Sequence, residues 1–137
     1  GYAMASESII REISKVKLPF EPSRLAQAAA TAALDDQEFL QQTLQLNREG
    51  MRFFQDAFTK VGIHFYAETA SNSLMLLFDS PAQAEDIYTR SLSMGLVTRP
   101  LGPFGIPQAL RINTGLTEEN EFAVNVLKEV MSQREEK

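Results

Sequence analysis

From residue 35 onward the sequence predicts an α+β fold, in which helices cover a mixed or antiparallel sheet. A stripe of apolar residues, spaced three and four apart, runs through residues 40–61 and indicates a long helix. Short apolar runs then alternate with helix signals, which gives the order helix, strand, strand, helix, strand, strand, helix. Residues 1–34 do not fit this layer, so we interpret them as material from a neighbouring unit.

Two helices are predicted within residues 1–34. Ser6 is placed to cap the first helix, which runs to about Lys17 and is stopped by Pro19. The second helix, residues 23–34, carries small apolar side chains on nearly every side. Such a helix is usually buried on several sides, because it offers no polar face to water.

The long helix is predicted to start at Asp35 or Asp36 and to stop at Gly62. Its stripe consists of Leu40, Leu44, Asn47, Met51, Phe54, Phe58 and Val61, all apolar except Asn47. A stripe of this length also permits a coiled coil. We favour a helix lying on a sheet, because no pattern of charges at the flanking positions accompanies the stripe.

Four strands are predicted, at residues 63–67, 73–78, 96–99 and 109–113. The second is almost continuously apolar, which favours a central position in the sheet. Ser80 and Pro81 open a helix that ends at Gly95, and Thr117 is expected to cap the last helix. The first of these helices carries Ala84, Ile87, Tyr88 and Leu92, and the expected buried face of the last is Ala123, Val124, Leu127 and Val130.

Composition excludes several kinds of function. With 13 basic and 18 acidic residues in 137, the net charge of −5 disfavours a nucleic-acid partner. The absence of cysteine and the single histidine exclude thiol chemistry and sites built on two imidazoles, so no metal site is expected. His64 is interpreted as an ordinary strand residue. No apolar run approaches the roughly 20 residues of a membrane span, and no secretory signal is recognised, so a cytoplasmic location is expected.

Two arginines are the candidate binding residues. Strand alternation puts Leu110 and Ile112 on one face and Arg111 on the other, where its guanidinium is free to bind a carboxylate or phosphate. Arg99 ends the preceding strand and could converge on the same anion. Surface ion pairs also explain many strand arginines, so at this point both interpretations stay open.

Six segments, together with Arg99, carry a resemblance to a known family. They are PFEPSRLAQAAA at 19–30, NREG at 47–50, SN at 71–72, GIP at 105–107, LRINTG at 110–115 and EENE at 118–121. In this order they resemble histidinol-phosphate aminotransferases, which are fold-type I enzymes that depend on pyridoxal phosphate. The resemblance covers essentially the whole chain and implies the C-terminal part of such an enzyme.

The resemblance carries expectations for domains and site residues. It implies that residues 1–34 end the large, pyridoxal-phosphate-binding domain and that residues 35–137 form the small domain. The Schiff-base lysine would then lie upstream of Gly1, so this chain alone should bind no cofactor and should be inactive. In the family, the arginine matching Arg111 holds the substrate's anionic group, a phosphate or a carboxylate, and the one matching Arg99 assists.

The expected partners follow from the same interpretation. We expect a small anionic substrate, and either a homodimer or self-association through residues 1–34. The alternative function is a non-enzymatic α+β module that binds an anionic metabolite or a partner protein.

Overall fold

The computed structural model describes residues 2–135, without the side chains of residues 133–135. The predicted limits at Gly1 and Lys137 therefore fall outside the described residues. The chain divides into two compact units, the first ending at Leu40 and the second beginning at Gln41. The described helices are α1 (Glu7–Val16), α2 (Arg24–Asp35), α3 (Gln37–Val61), α4 (Pro81–Ser93) and α5 (Thr117–Glu135), with a 3₁₀ turn at Gly102–Phe104. The described strands are β1 (His64–Tyr66), β2 (Ser73–Leu77), β3 (Arg99–Pro100) and β4 (Ala109–Asn113).

The two helices predicted for the first unit are confirmed as α1 and α2. The Ser23 hydroxyl accepts a hydrogen bond from the backbone N–H of Ala26 at 3.2 Å and so caps α2. Ser6 stands at the cap position of α1, but its hydroxyl lies 3.0 Å from that of Ser8 and makes no cap bond. Neither helix contains a buried residue. The predicted cover over α2 stays a prediction.

The second unit is built on an antiparallel sheet with the strand order β1-β2-β4-β3. The α+β prediction is confirmed, and so is the interior position of β2. In the register of β2 and β4, Leu74 lies opposite Ile112 and Leu76 opposite Leu110. All four side chains are buried on the same face, because side chains alternate along a strand.

Helices α3, α4 and α5 pack on that buried face. The core joins it to residues from each helix: Met51, Phe54 and Phe58, then Ala84 and Ile87, then Ala123, Val124, Val126, Leu127 and Val130. The helix-on-sheet interpretation of α3 is therefore confirmed over its C-terminal half. At the N-terminal end of the predicted stripe, Leu40 and Leu44 are exposed. The buried face predicted for α5 is confirmed in all its members.

Two local predictions are wrong. The strand predicted at 96–99 is reduced to Arg99–Pro100, because Leu96 turns into the core and its N–H bonds to the carbonyl of Ser91. On α4, Ala84, Ile87 and Ser91 are buried, whereas Leu92 is exposed. Thr117 is the first residue of α5 rather than its cap, since the N–H of Asn120 already bonds to the carbonyl of Leu116.

Candidate anion-binding site

Arg111 lies in the middle of β4, on the sheet face opposite the three helices. Its strand neighbours Leu110 and Ile112 are 1% and 3% exposed and belong to the core, whereas Arg111 is half-buried. The predicted alternation of faces is confirmed. A substitution at position 111 therefore removes a side chain that does not fill the space between sheet and helices.

Arg99 is the cross-strand partner of Arg111. In the antiparallel pair of β3 and β4 the two residues are directly opposite each other. Directly opposed residues on one sheet face have Cβ atoms about 5 Å apart, and like charges in this arrangement destabilise the pair. The structure therefore brings together the two arginines that the sequence singled out, in a position that favours an anion between them.

Both arginines line an open cleft of about 440 Å³. One wall is the segment 95–98, which connects α4 to β3. The other walls are residues 111–115, at the end of β4, and the first turns of α5. Among the described lining residues there are two guanidiniums and one carboxylate, that of Glu119. The cleft is therefore positive although the chain as a whole carries a net charge of −5.

The Glu119 carboxylate already has a hydrogen-bond partner. Its Oε2 accepts a hydrogen bond of 2.8 Å from the backbone N–H of Leu116 at the start of α5. This hydrogen bond is one of the two that form a capping box, in which an acidic side chain accepts from the backbone N–H of the residue that caps the helix. Glu119 makes no ion pair with either arginine within the described structure.

Two polar atoms of the cleft residues have no hydrogen-bond partner. Arg111 Nε and Thr98 Oγ1 are both shielded from solvent and unpaired within the described part of the chain. A buried donor without a partner costs about 1–3 kcal/mol, so a ligand or water that satisfied it would recover that cost. The unpaired guanidinium nitrogen distinguishes Arg111 from an arginine held in a structural ion pair.

The end of the Arg111 strand is fixed by a polar cluster. Asn120 accepts a hydrogen bond from the N–H of Gly115 at 2.8 Å and donates one to its carbonyl at 3.1 Å. The Thr114 hydroxyl lies 3.1 Å from Asn47 Oδ1, to which it donates, and the N–H of Thr114 bonds to the carbonyl of Asn72 at 2.9 Å. These contacts join α3, the residue before β2, and α5 to the segment that follows Arg111.

Sequence reasoning missed Thr98, Asn120 and Phe104 as members of this region. The loop at 102–105 was of interest only because it lacks the Gly-Lys-Ser/Thr sequence of a phosphate-binding loop. The structure places the Phe104 ring 5.3 Å from Arg99 Cζ. An aromatic residue soon after a strand arginine was the available signal, whereas nothing in the sequence marked Thr98.

The residues of the cleft do not fit the role of holding pyridoxal phosphate. That role needs a lysine amine, and no lysine lines the cleft in the described structure. Lys60 and Lys128 lie at a separate cavity beside Asp56, and Lys15 pairs with Glu12 on exposed α1. No described group of acidic or imidazole side chains could hold a metal ion, and no described helix is long and apolar enough to cross a bilayer.

Comparison with known families bears on the choice between an aminotransferase and a non-enzymatic module. Residues 1–127 match the model of the family "Aminotransferase class I and II". The chain belongs to this family of aminotransferases. The match covers the first unit as well as the second, and it does not favour a non-enzymatic module.

Two relatives that this chain matches are named histidinol-phosphate aminotransferase. This chain is 36% identical over 132 residues to histidinol-phosphate aminotransferase of Brevibacillus brevis, covering 96% of this chain and 35% of that protein. It is 38% identical over 131 residues to histidinol-phosphate aminotransferase 2 of Pasteurella multocida, again covering 96% and 35%. The predicted resemblance is confirmed. The chain spans about a third of the length of these curated relatives.

The aminotransferase fold is also found among solved structures. Histidinol-phosphate aminotransferase from Sinorhizobium meliloti, determined in complex with pyridoxal-5'-phosphate, superposes with a TM-score of 0.81 at 23% identity. The superposition covers 92% of this chain and 34% of that chain. At this identity the likeness supports the fold, and the roles of individual residues have to be argued from the cleft itself.

Proposed function

We propose that this chain is the substrate-anchoring part of a transaminase that depends on pyridoxal phosphate and acts on histidinol phosphate. Arg111 binds the substrate's anionic group, and Arg99 assists from the neighbouring strand. The observation that carries the proposal is the pair of directly opposed arginines in one cleft, with Arg111 Nε unpartnered. The names of the relatives support a phosphate as that group.

The chemistry of anchoring follows from the guanidinium. Its planar fork can donate two parallel hydrogen bonds to two oxygens of a phosphate or carboxylate, which fixes orientation as well as position. Two opposed guanidiniums repel each other less once an anion lies between them. Holding the anionic end of a substrate fixes where its amine lies, and such positioning lowers the entropic cost of the reaction.

The domain assignment is part of the proposal. We place residues 1–34 at the end of the large domain and residues 35–137 in the small domain of a longer cytoplasmic enzyme, which we expect to be a homodimer. Pyridoxal phosphate, which serves such enzymes as an electron sink, is then held by a lysine outside this chain. Borohydride reduction of this chain with pyridoxal phosphate should label no single lysine stoichiometrically, and a stoichiometric adduct would contradict the assignment.

The proposed function is tested in the longer enzyme with two measurements. Transfer of the amino group of histidinol phosphate to a keto acid is followed first, and its absence would overturn the substrate assignment. Inorganic phosphate is then added at constant ionic strength. We expect it to compete with histidinol phosphate, because both occupy the arginine pair. Inhibition that does not depend on histidinol phosphate concentration would place the anion site elsewhere.

A further inference from the structure

Phe104 is a large apolar residue that the core does not use. Its side chain is 60% exposed, and it is absent from the hydrophobic cluster of the second unit. Its ring instead lies under the guanidinium of Arg99, with 5.3 Å between Arg99 Cζ and the ring centroid. A cation within about 6 Å of a ring centroid is attracted by the negative face of the ring.

The loop that carries Phe104 is closed by its own hydrogen bonds. The N–H groups of Phe104 and Ile106 both bond to the carbonyl of Leu101, at 2.9 and 3.2 Å. Gly105, with a φ of +83°, makes the left-handed turn that completes this closure. Leu101 is only 9% exposed, so its side chain anchors the loop from inside.

The same loop is tied to the strand of Arg111. The N–H of Leu101 bonds to the carbonyl of Ala109 at 3.0 Å, and the N–H of Ala109 bonds to the carbonyl of Ile106 at 3.1 Å. Ala109 lies two residues before Arg111 on β4. The backbone that carries the exposed Phe104 ring is therefore tied to the strand of Arg111.

The Phe104 ring lies against the Arg99 guanidinium, which has no ion-pair partner within the described residues. The Arg99 side chain makes no hydrogen bond or ion pair within the described residues, and Arg99 stands directly opposite Arg111 in the strand register. A carboxylate in the place of Phe104 would neutralise Arg99 and compete with an incoming anion. A ring attracts the cation while leaving its net charge and its N–H donors available to a ligand.

We infer that Phe104 is a positioning residue, which holds Arg99 beside Arg111 so that both guanidiniums can meet one anion. The inference rests on the proposed function, because it assigns Phe104 a role only through the arginine pair. Without the ring, Arg99 would move away from Arg111, since nothing else described opposes their repulsion. Phe104 then contributes to anion affinity without touching the anion.

The test is a titration of this chain with inorganic phosphate, followed by the backbone amide NMR signals of residues 111–115. Chloride keeps the ionic strength constant, because exposed charges are screened by salt. Phe104→Leu should raise the Kd for phosphate about two- to fivefold, the range expected for loss of an exposed cation–π contact. Phe104→Tyr keeps a ring and should bind as the unaltered chain does. Phe39→Leu removes an exposed ring from the first turn of α3 and is the matched control.

A double-mutant cycle separates positioning from a merely structural role. In the Arg99→Ala background, Phe104→Leu should cause no further loss of phosphate affinity. An equal loss in both backgrounds, or no loss in either, would overturn the inference. Phe104→Met repeats the comparison if the leucine variant does not fold. If neither Arg99→Ala nor Arg111→Ala weakens phosphate binding, it is the proposed anion site itself that fails.

Discussion

Gly50 of α3 lies in such close contact with Asn120 of α5 that a Cβ atom on residue 50 would come within 3.0 Å of Asn120 Nδ2. The same Cβ would lie 3.0 Å from Thr114 Cβ. Asn120 cannot easily give way, because its amide is engaged on both sides by the backbone of Gly115. A helical glycine is thus required here by close approach.

Gly50→Ala should therefore destabilise the second unit. Alanine favours a helix interior over glycine by about 1 kcal/mol, but overpacking a buried site costs about 1–3 kcal/mol. The cost of overpacking exceeds the gain in helix propensity. We expect a net loss of about 1 kcal/mol in the free energy of unfolding, measured by urea denaturation. Thr43→Ala, at an exposed position of the same helix, should be neutral or slightly stabilising. A more stable Gly50→Ala variant would contradict the close contact.

Asn120→Ala should cost more than Gly50→Ala. Asn120 is 3% exposed, and its removal leaves both backbone groups of Gly115 without their partner. An unsatisfied buried group costs about 1–3 kcal/mol, so we expect a loss of about 2–4 kcal/mol in the free energy of unfolding. Asn125→Ala, at an exposed position of the same helix, is the control and should change it little. Equal effects of the two variants would show that the amide bonds to Gly115 contribute nothing.

Periodicity predicted the layers of the second unit but not the polar contacts that close it. The apolar positions of β2, β4 and α5 recur at intervals that reflect burial, so Leu74, Ile112 and Leu127 could be placed from the sequence. The stripe of α3 keeps the same spacing through Leu40 and Leu44, which are exposed, because periodicity alone does not show where burial ends.

The candidate site was predictable only in part, for a physical reason. Strand alternation is a local property, and it gave the face of Arg111. The opposition of Arg99 and Arg111 depends on a register between two strands, and the contact of Asn47 with Thr114 joins residues 67 positions apart. Such pairings depend on the whole fold, and a polar residue carries no periodic signal of its partner.

An exposed apolar stripe in the first unit favours self-association. Ile9, Ile10, Ile13 and Val16 form a stripe on α1 and are 53%, 40%, 54% and 83% exposed. An apolar face of this kind favours contact with a second copy. We expect the mass of this chain in sedimentation to rise with concentration, and Ile9→Gln with Ile13→Gln to suppress the rise.

The control for self-association lies on the other side of the same helix. Glu7 and Arg11 form an exposed ion pair of 2.8 Å, and such pairs contribute little stability. Replacing both by glutamine should leave the association unchanged. A single monomeric species at all concentrations, with or without the isoleucines, would contradict assembly through residues 1–34.

The last prediction concerns Arg111 in the longer enzyme. A hydrogen bond to a charged group is worth about 1.5–3 kcal/mol, and about 1.4 kcal/mol corresponds to a tenfold change in rate. Arg111→Ala should therefore lower kcat/KM for histidinol phosphate by about one to two orders of magnitude. Arg111→Lys should recover part of the loss, because an ammonium keeps the charge but not the planar fork. Arg99→Ala should show a smaller loss of the same kind.

Stability should barely change in these variants, and this separates anchoring from a structural role. Arg111 Nε has no partner to lose, and the side chain lies outside the core cluster, so we expect changes within about 0.5 kcal/mol in the free energy of unfolding. Arg52→Ala, which removes an exposed arginine from α3, is the control for the loss of one positive charge and should keep normal kcat/KM. If Arg111→Ala instead unfolds the enzyme while the folded fraction turns over normally, Arg111 is structural and the anion binds elsewhere.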